Sequence, residues 1–177
     1  MKPPEIIETK RLYLRPPTLS DSEDIFRKYA QDLGVTKYLV WKPHENLSVT
    51  REFISRCIRC WKEETAYPWA IIRKEDEELI GMIEIRIDNH LSDMGFGIER
   101  SSWGKGYVTE AARTIVDWLF NQPSIYRVWA VCDVENKASA RVMEKIGMQR
   151  EGILRRYIVH PNISNEPRDC LCYARVK

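Results

Sequence analysis

Apolar and polar positions alternate along Thr9–Arg15, with Leu12 and Leu14 set against Arg11, Tyr13 and Arg15. This period-two pattern predicts a strand, stopped by Pro16-Pro17. Ser20-Asp21 then offers an N-cap to a helix whose apolar side is Ile25, Phe26 and Tyr29, ending near Gln31, and Gly34 breaks the chain. Val35–Asn46 mixes large residues with Pro43 and reads as a loop. A second helix, capped by Ser48 or Thr50, carries Val49, Phe53, Ile54, Cys57, Ile58 and Trp61 at helical spacing. Three strands follow: Tyr67–Arg73, Leu79–Ile87 and Asp93–Glu99, the first two joined by an acidic hairpin at Glu75-Asp76-Glu77-Glu78.

The longest amphipathic run begins after Gly104-Lys105-Gly106. Val108, Ala111, Ala112, Ile115, Val116 and Leu119 share one face, and Gln122-Pro123 closes the helix. Tyr126–Cys132 reads as a buried strand, so strand, helix and strand form a crossover unit. Asn136 opens another helix with Ala140, Val142, Met143 and Ile146 inward, and Gly147 caps its end. Met148–Tyr157 and Arg168–Val176 are the last strands, and the polar loop between Pro161 and Pro167 is expected to be mobile. Helices packed on a mixed sheet make an α/β, or α+β layered, fold. No repeat or low-complexity segment divides the chain, so residues 1–177 are expected to form one domain. Met1–Glu8 is expected to be a loose tail or to lie along an edge.

Composition narrows the function classes. A net charge of +2 over 177 residues gives no basis for a nucleic-acid or membrane partner. No apolar run is long enough to span a bilayer, and the start lacks a signal-peptide core, so a cytoplasmic protein is expected. Cys57 and Cys60 are spaced as a redox pair would be, although two buried or half-buried thiols are the simpler reading. With His44, His90 and His160 scattered, no metal site is expected.

The chemistry gathers at Gly104-Lys105-Gly106. The first N–H groups of a helix lack intrahelical partners, the dipole is positive there, and Lys105 adds a cation. Two glycines let a bulky anion approach bare backbone, which suits a phosphate or pyrophosphate. A dinucleotide fingerprint would need a third glycine where Thr109 stands, and a P-loop needs a spacing this chain lacks.

Trp103-Gly104-Lys105-Gly106-Tyr107-Val108-Thr109-Glu110-Ala111 resembles the acetyl-CoA-binding motif of the GNAT superfamily of N-acetyltransferases, in its RimJ/RimL-like branch. That branch acetylates protein N-termini and some small amines. Trp103 stands where the wider family has Gln or Arg, Gly106 matches the first motif glycine, and Val108 replaces Gly or Ala. The resemblance continues through Asn136-Lys137-Ala138-Ser139, Glu144–Met148 and Glu151–Arg155. It implies a mostly antiparallel seven-stranded sheet, splayed between strands 4 and 5 and flanked by about four helices. In that wedge Phe96, Gly97 and Ile98 would pair with pantetheine. Gly104, Lys105, Gly106, Tyr107, Val108 and Thr109 would hold the pyrophosphate, and Asn136 would reach the arm.

Transfer to an amine requires a neutral nucleophile. An α-amine with a pKa of roughly 8 is partly neutral at cytoplasmic pH, and a thiol of roughly 8.5 is a tolerable leaving group. Met143 stands where many relatives have a tyrosine acid, and Val131 where some have a glutamate. The resemblance offers Ser139 as thiol-side donor instead. Glu84 is the preferred base, Glu99 the second choice, and Tyr173 another donor. The expected activity is transfer from acetyl-CoA to a primary amine, foremost a protein N-terminal α-amine of ribosomal-protein type. The alternatives are a polyamine or aminoglycoside-like acceptor, and an acyl-CoA-binding module without turnover. A monomer or homodimer is expected, with the aromatics around Trp41 and Trp61 as an interface.

Overall fold

The computed structural model describes Met1–Lys177. The chain runs β1 (Ile7–Glu8), β2 (Leu12–Arg15), α1 (Ser22–Ile25, continued by a wide π turn over Phe26–Ala30), α2 (Leu33–Thr36), α3 (Leu47–Glu63), β3 (Tyr67–Arg73), β4 (Glu78–Asp88), β5 (Leu91–Ile98), α4 (Tyr107–Phe120), β6 (Arg127–Asp133), α5 (Lys137–Lys145), β7 (Gln149–Val159) and β8 (Pro167–Val176). The strands form one eight-stranded sheet in the order β1-β2-β3-β4-β5-β6-β8-β7. Every neighbouring pair is antiparallel except β5 and β6. A parallel pair needs a long crossover, and α4 supplies it.

That parallel pair is short. Its register runs only through Leu91↔Arg127, Ser92↔Val128 and Asp93↔Trp129. Beyond these, β5 stays with β4 as far as Gly81↔Ile98, while β6 follows β8 to Asp133↔Cys170. The facing edges of β5 and β6 therefore part over Met94–Ile98 and Ala130–Asp133, which is the splay the sequence resemblance implies. On the other side of β5, packing is tight. A Cβ at Gly81 would lie 2.3 Å from the carbonyl oxygen of Gly97.

Strand alternation divides the core between two faces. Leu12, Leu14, Trp69, Ile71, Ile83, Ile85, Val128 and Ala130 pack against Ala111, Ala112, Ile115, Val116 and Leu119 of α4 and Ala140 and Met143 of α5. Ala70, Ile72 and Met82, on the opposite face, pack against Ile25, Tyr29, Ile54 and Cys57 of α1 and α3. Burying an aliphatic side chain of this size contributes about 1.5–3 kcal/mol, so the apolar stripe of α4 fixes that helix against the sheet.

Several expectations need correction. There are eight strands rather than seven, because Ile7–Glu8 pairs with Tyr13–Leu14 at the sheet edge. Of the two alternatives for the tail, it lies along the edge and is not loose: the Trp69 indole donates to the carbonyls of Pro4 and Glu5, and the Tyr67 hydroxyl to that of Met1. The first long strand starts at Leu12 because Thr9 turns back, its N–H bonding Leu12 O at 2.9 Å. Gly34 does not break the chain but sits in α2, a fifth helix, whose N-cap Asp32 accepts from the N–H groups of Gly34 and Val35. Asn46 caps α3, accepting from Val49 N–H, whereas Thr50 is buried against His44. The loop after β7 is pinned, since Asn162 donates to the carbonyls of Thr36 and Trp41 at 2.7 and 2.8 Å. Trp61 is a core residue bonded to Pro68 O, so it presents no interface.

Candidate active site

Gly104 and Gly106 have φ of 75° and 79°, the left-handed region that glycine enters without a Cβ clash. They turn the chain from β5 into α4 so that the first helical bond runs from Glu110 N–H to Gly106 O. The N–H groups from Gly104 to Thr109 have no acceptor in the protein. Tyr107 and Val108 direct their side chains inward, where both are buried, leaving their amides bare. Open space lies in front of Gly104, where a Cβ would meet nothing within 4 Å. Aligned bare amides, a helix dipole and the exposed Lys105 make this corner fit the diphosphate of a coenzyme A.

The corner is braced from β2. Glu110 accepts from the Thr9 hydroxyl at 2.6 Å, the Arg11 N–H at 2.9 Å and the Arg11 Nε at 2.7 Å. Burial pushes the Glu110 carboxyl up, but these three donors together hold it below the ordinary carboxylate range. Arg11 also donates to Lys105 O and lies 4.5 Å over the Tyr107 ring.

The splay opens directly beside this turn. Phe96 and Ile98 of β5 pack toward α4, so Gly95 and Gly97 face the α1–α3 side. A Cβ at Gly95 would meet nothing within 4 Å, and one at Gly97 only the Tyr29 ring at 4.0 Å. The strand is thus nearly bare on that face. The Ile98 carbonyl accepts the Trp103 indole N–H at 2.9 Å, which fixes the end of β5 against the turn.

On the α4–α5 side, Asn136 caps α5 by accepting Ser139 N–H at 3.2 Å. Its cap uses the amide oxygen, and the Asn136 nitrogen has no protein partner, so capping and contact with a pantetheine arm are compatible. The half-buried Ser139 lies near Cys132, at the diverging end of β6. Burial pushes the Cys132 thiol up to about 11, with the neighbouring Ser139 pulling the other way. Met143 is fully buried in the core.

Glu84 lies opposite Gly95 in the β4–β5 register, on the face that carries Tyr29. Its side chain is 37% exposed, with Arg86 at 3.4 Å. Burial raises its carboxyl above the ordinary range, and Arg86 pulls the other way. Glu84 and α5, which carries Ser139, therefore lie on opposite faces of the sheet. Glu99 and Tyr173 do not join them. The Glu99 carboxylate is engaged by the hydroxyls of Ser101 and Ser102 at 2.7 and 2.8 Å. The Tyr173 hydroxyl donates to Glu144 at 2.9 Å, more than a helical turn along α5 from Ser139.

Two features escaped the sequence reading. Tyr29 lies over β5 at Gly97, and its helical spacing marks it only as apolar. Asp32 caps α2 and also binds Arg100 at 2.5 and 3.0 Å, joining the helices on one face to the turn after β5. Asp32 before Leu33-Gly34 was the available cap signal, but a four-residue helix has no period to reveal it.

A fold with a splayed β5–β6 seam and a bare-amide turn at α4 is that of an acyltransferase domain, and comparison with known proteins agrees. The family model described as Acetyltransferase (GNAT) domain matches residues 11–149, and the chain belongs to the GNAT family of acetyltransferases. It is 31% identical to the uncharacterized N-acetyltransferase YoaA of Bacillus subtilis, covering 97% of both chains. A GNAT-family acetyltransferase crystal structure from Bacillus anthracis superposes with a TM-score of 0.84 at 29% identity, covering 97% of this chain and 98% of that one. RimL, a ribosomal L7/L12 alpha-N-protein acetyltransferase solved in complex with coenzyme A, shares the fold at a TM-score of 0.85 and 20% identity, covering 97% and 98%.

Proposed function

We propose that this N-acetyltransferase takes acetyl from acetyl-CoA and delivers it to the α-amine of a protein N-terminus. The observation that carries the acceptor reading is the bare strip of β5. Gly95 is open above its backbone and Glu84 stands across from it, so an extended chain end has room to lie over the strand. A closed acidic cleft would instead suit a polycation.

In this reading the amides of Gly104, Lys105, Gly106, Tyr107, Val108 and Thr109 hold the diphosphate, helped by the Lys105 cation. Main-chain groups of the Phe96-Gly97-Ile98 stretch pair with the arm, those of Phe96 and Ile98 from the open edge of β5 while the Gly97 carbonyl is turned to β4, because unpaired amides are costly once water is excluded. Coenzyme A supplies the activated acetyl thioester. The Asn136 amide nitrogen orients the arm. Glu84 receives a proton from the acceptor amine, directly or through one water, and its raised pKa brings it nearer the amine's range. Ser139 donates a hydrogen bond to the thiolate released as the C–S bond breaks, which then takes its proton from solvent. Glu99 keeps the turn in shape rather than moving a proton.

The test is thiol release from acetyl-CoA with peptides carrying free or blocked N-termini, spermidine and an aminoglycoside. Release with the free peptides, and none with the blocked ones, is expected. A rate with spermidine far above any peptide would replace the acceptor assignment. Tight acetyl-CoA binding with no release on any acceptor would favour a binding module.

A further inference from the structure

A second polar recess adjoins the amide turn, on the solvent side of α4. It encloses about 300 Å³ and no hydrophobic residue lines it. Arg11, Thr109, Glu110, Arg113, Thr114 and Lys145 surround it, with Gly106 at the end nearest the turn. Two of these are already occupied with each other, since Arg11 is paired with Glu110. The Thr114 hydroxyl donates to Glu110 O at 3.1 Å. Arg113 uses one Nη2–H to hold the Lys145 carbonyl at 2.5 Å, which positions its guanidinium and ties the end of α5 to α4. The remaining Arg113 donors, the Lys145 ammonium and the Thr109 hydroxyl have no partner in the protein. The only carboxylate in the recess is neutralised, so two unpaired cations converge on one polar hollow.

Resting on the coenzyme A reading above, we infer that Arg113 and Lys145 form a socket for the 3′-phosphate of that nucleotide and so distinguish coenzyme A from its dephosphorylated form. Spacing supports this. Arg113 stands one helical turn beyond Thr109, about 6 Å along the axis, which is the scale of the ribose separating the 5′-diphosphate from the 3′-phosphate. A wholly polar lining suits a phosphate monoester and offers no apolar face on which adenine would stack. Arginine presents a fork of donors and lysine a point charge, the usual combination for a phosphate oxygen cluster.

Calorimetric titration of the intact protein with coenzyme A and with dephospho-coenzyme A tests the inference without turnover. Wild-type protein should prefer coenzyme A by roughly tenfold or more, and the preference should narrow as salt rises. Lys145→Gln and Arg113→Gln should each reduce that ratio toward one while leaving the affinity for dephospho-coenzyme A unchanged. Arg113→Gln also removes a bond between helices, so its melting temperature is measured alongside, and Lys145→Gln reads the socket without that change. Equal binding of the two nucleotides by wild-type protein would overturn the socket and leave the coenzyme A reading intact. Failure of both to bind would remove that reading and the socket with it.

Discussion

In the proposed reading, the two sides of the splayed seam recognise their ligands by different means. On the α4 side the groups are main-chain amides, held in place by the left-handed geometry of Gly104 and Gly106 and by the Arg11–Glu110 brace. On the α1–α3 side they are side chains, Glu84 and Tyr29, brought from distant parts of the chain onto a strand that offers only Gly95 and Gly97. A backbone site reads a group common to every donor, whereas a side-chain site can be rebuilt for another acceptor without disturbing it. Donor binding and acceptor choice are therefore separable here, and substitutions on one side should leave the other side's constants alone.

The strongest test of that separation is Glu84→Gln. It should lower kcat/KM by about 10²- to 10⁴-fold with the acetyl-CoA dissociation constant unchanged. Because burial raises the Glu84 carboxyl, the acid limb of the wild-type kcat/KM profile should lie above the ordinary glutamate range of about 4.3, and the variant should lose that limb. An unchanged profile at full rate would remove Glu84 as base. Next comes Gly106→Val, which forces a branched side chain to a φ of 79°. Strain of about 1–3 kcal/mol at the turn should weaken acetyl-CoA binding by roughly 5- to 150-fold, read by calorimetry. Equal affinity would mean that the turn does not hold the nucleotide.

Smaller effects sharpen the comparison. Ser139→Ala removes one hydrogen bond to the thiol, so turnover should fall about three- to tenfold while acetyl-CoA affinity holds; a loss in affinity alone would make Ser139 a binding residue. Glu110→Gln should cost about 1–2 kcal/mol of stability at neutral pH, allowing for solvent screening. The sign follows from its depressed folded-state pKa. The stabilisation is present above the unfolded-state value and is lost as pH falls through the folded one, so urea melts of wild type and variant should converge under acid. A constant gap at every pH would mean that the carboxylate's charge is not what braces the turn.

The asymmetry between the two sides also explains what the sequence made legible. The α4 stripe, its glycine turn and the crossover to β6 are local patterns, and each lies within a few residues of where periodicity puts it. The splay followed from the family motif and not from periodicity, which cannot tell a paired strand edge from an open one. Features held by long-range contacts were harder to see. The two residues of β1 have no pattern of their own and are strand only because they pair with Tyr13 and Leu14. The 161–167 loop looked mobile by its polarity, yet one of those polar residues, Asn162, is what pins it. Glu84 was marked as the preferred base by its place on a central strand, with Glu99 second and Tyr173 as another donor, and the partners that engage those two, Ser101, Ser102 and Glu144, are not legible in the sequence.

The central claim is that bare amides at the start of α4 grip the diphosphate of coenzyme A. Amide chemical shifts of the ¹⁵N-labelled protein, followed through a titration with acetyl-CoA, test it most directly. Large, saturating shifts at Gly104, Gly106, Tyr107, Val108 and Thr109 are expected. Saturation of the protein with those amides unmoved, or no binding at all, would contradict the account.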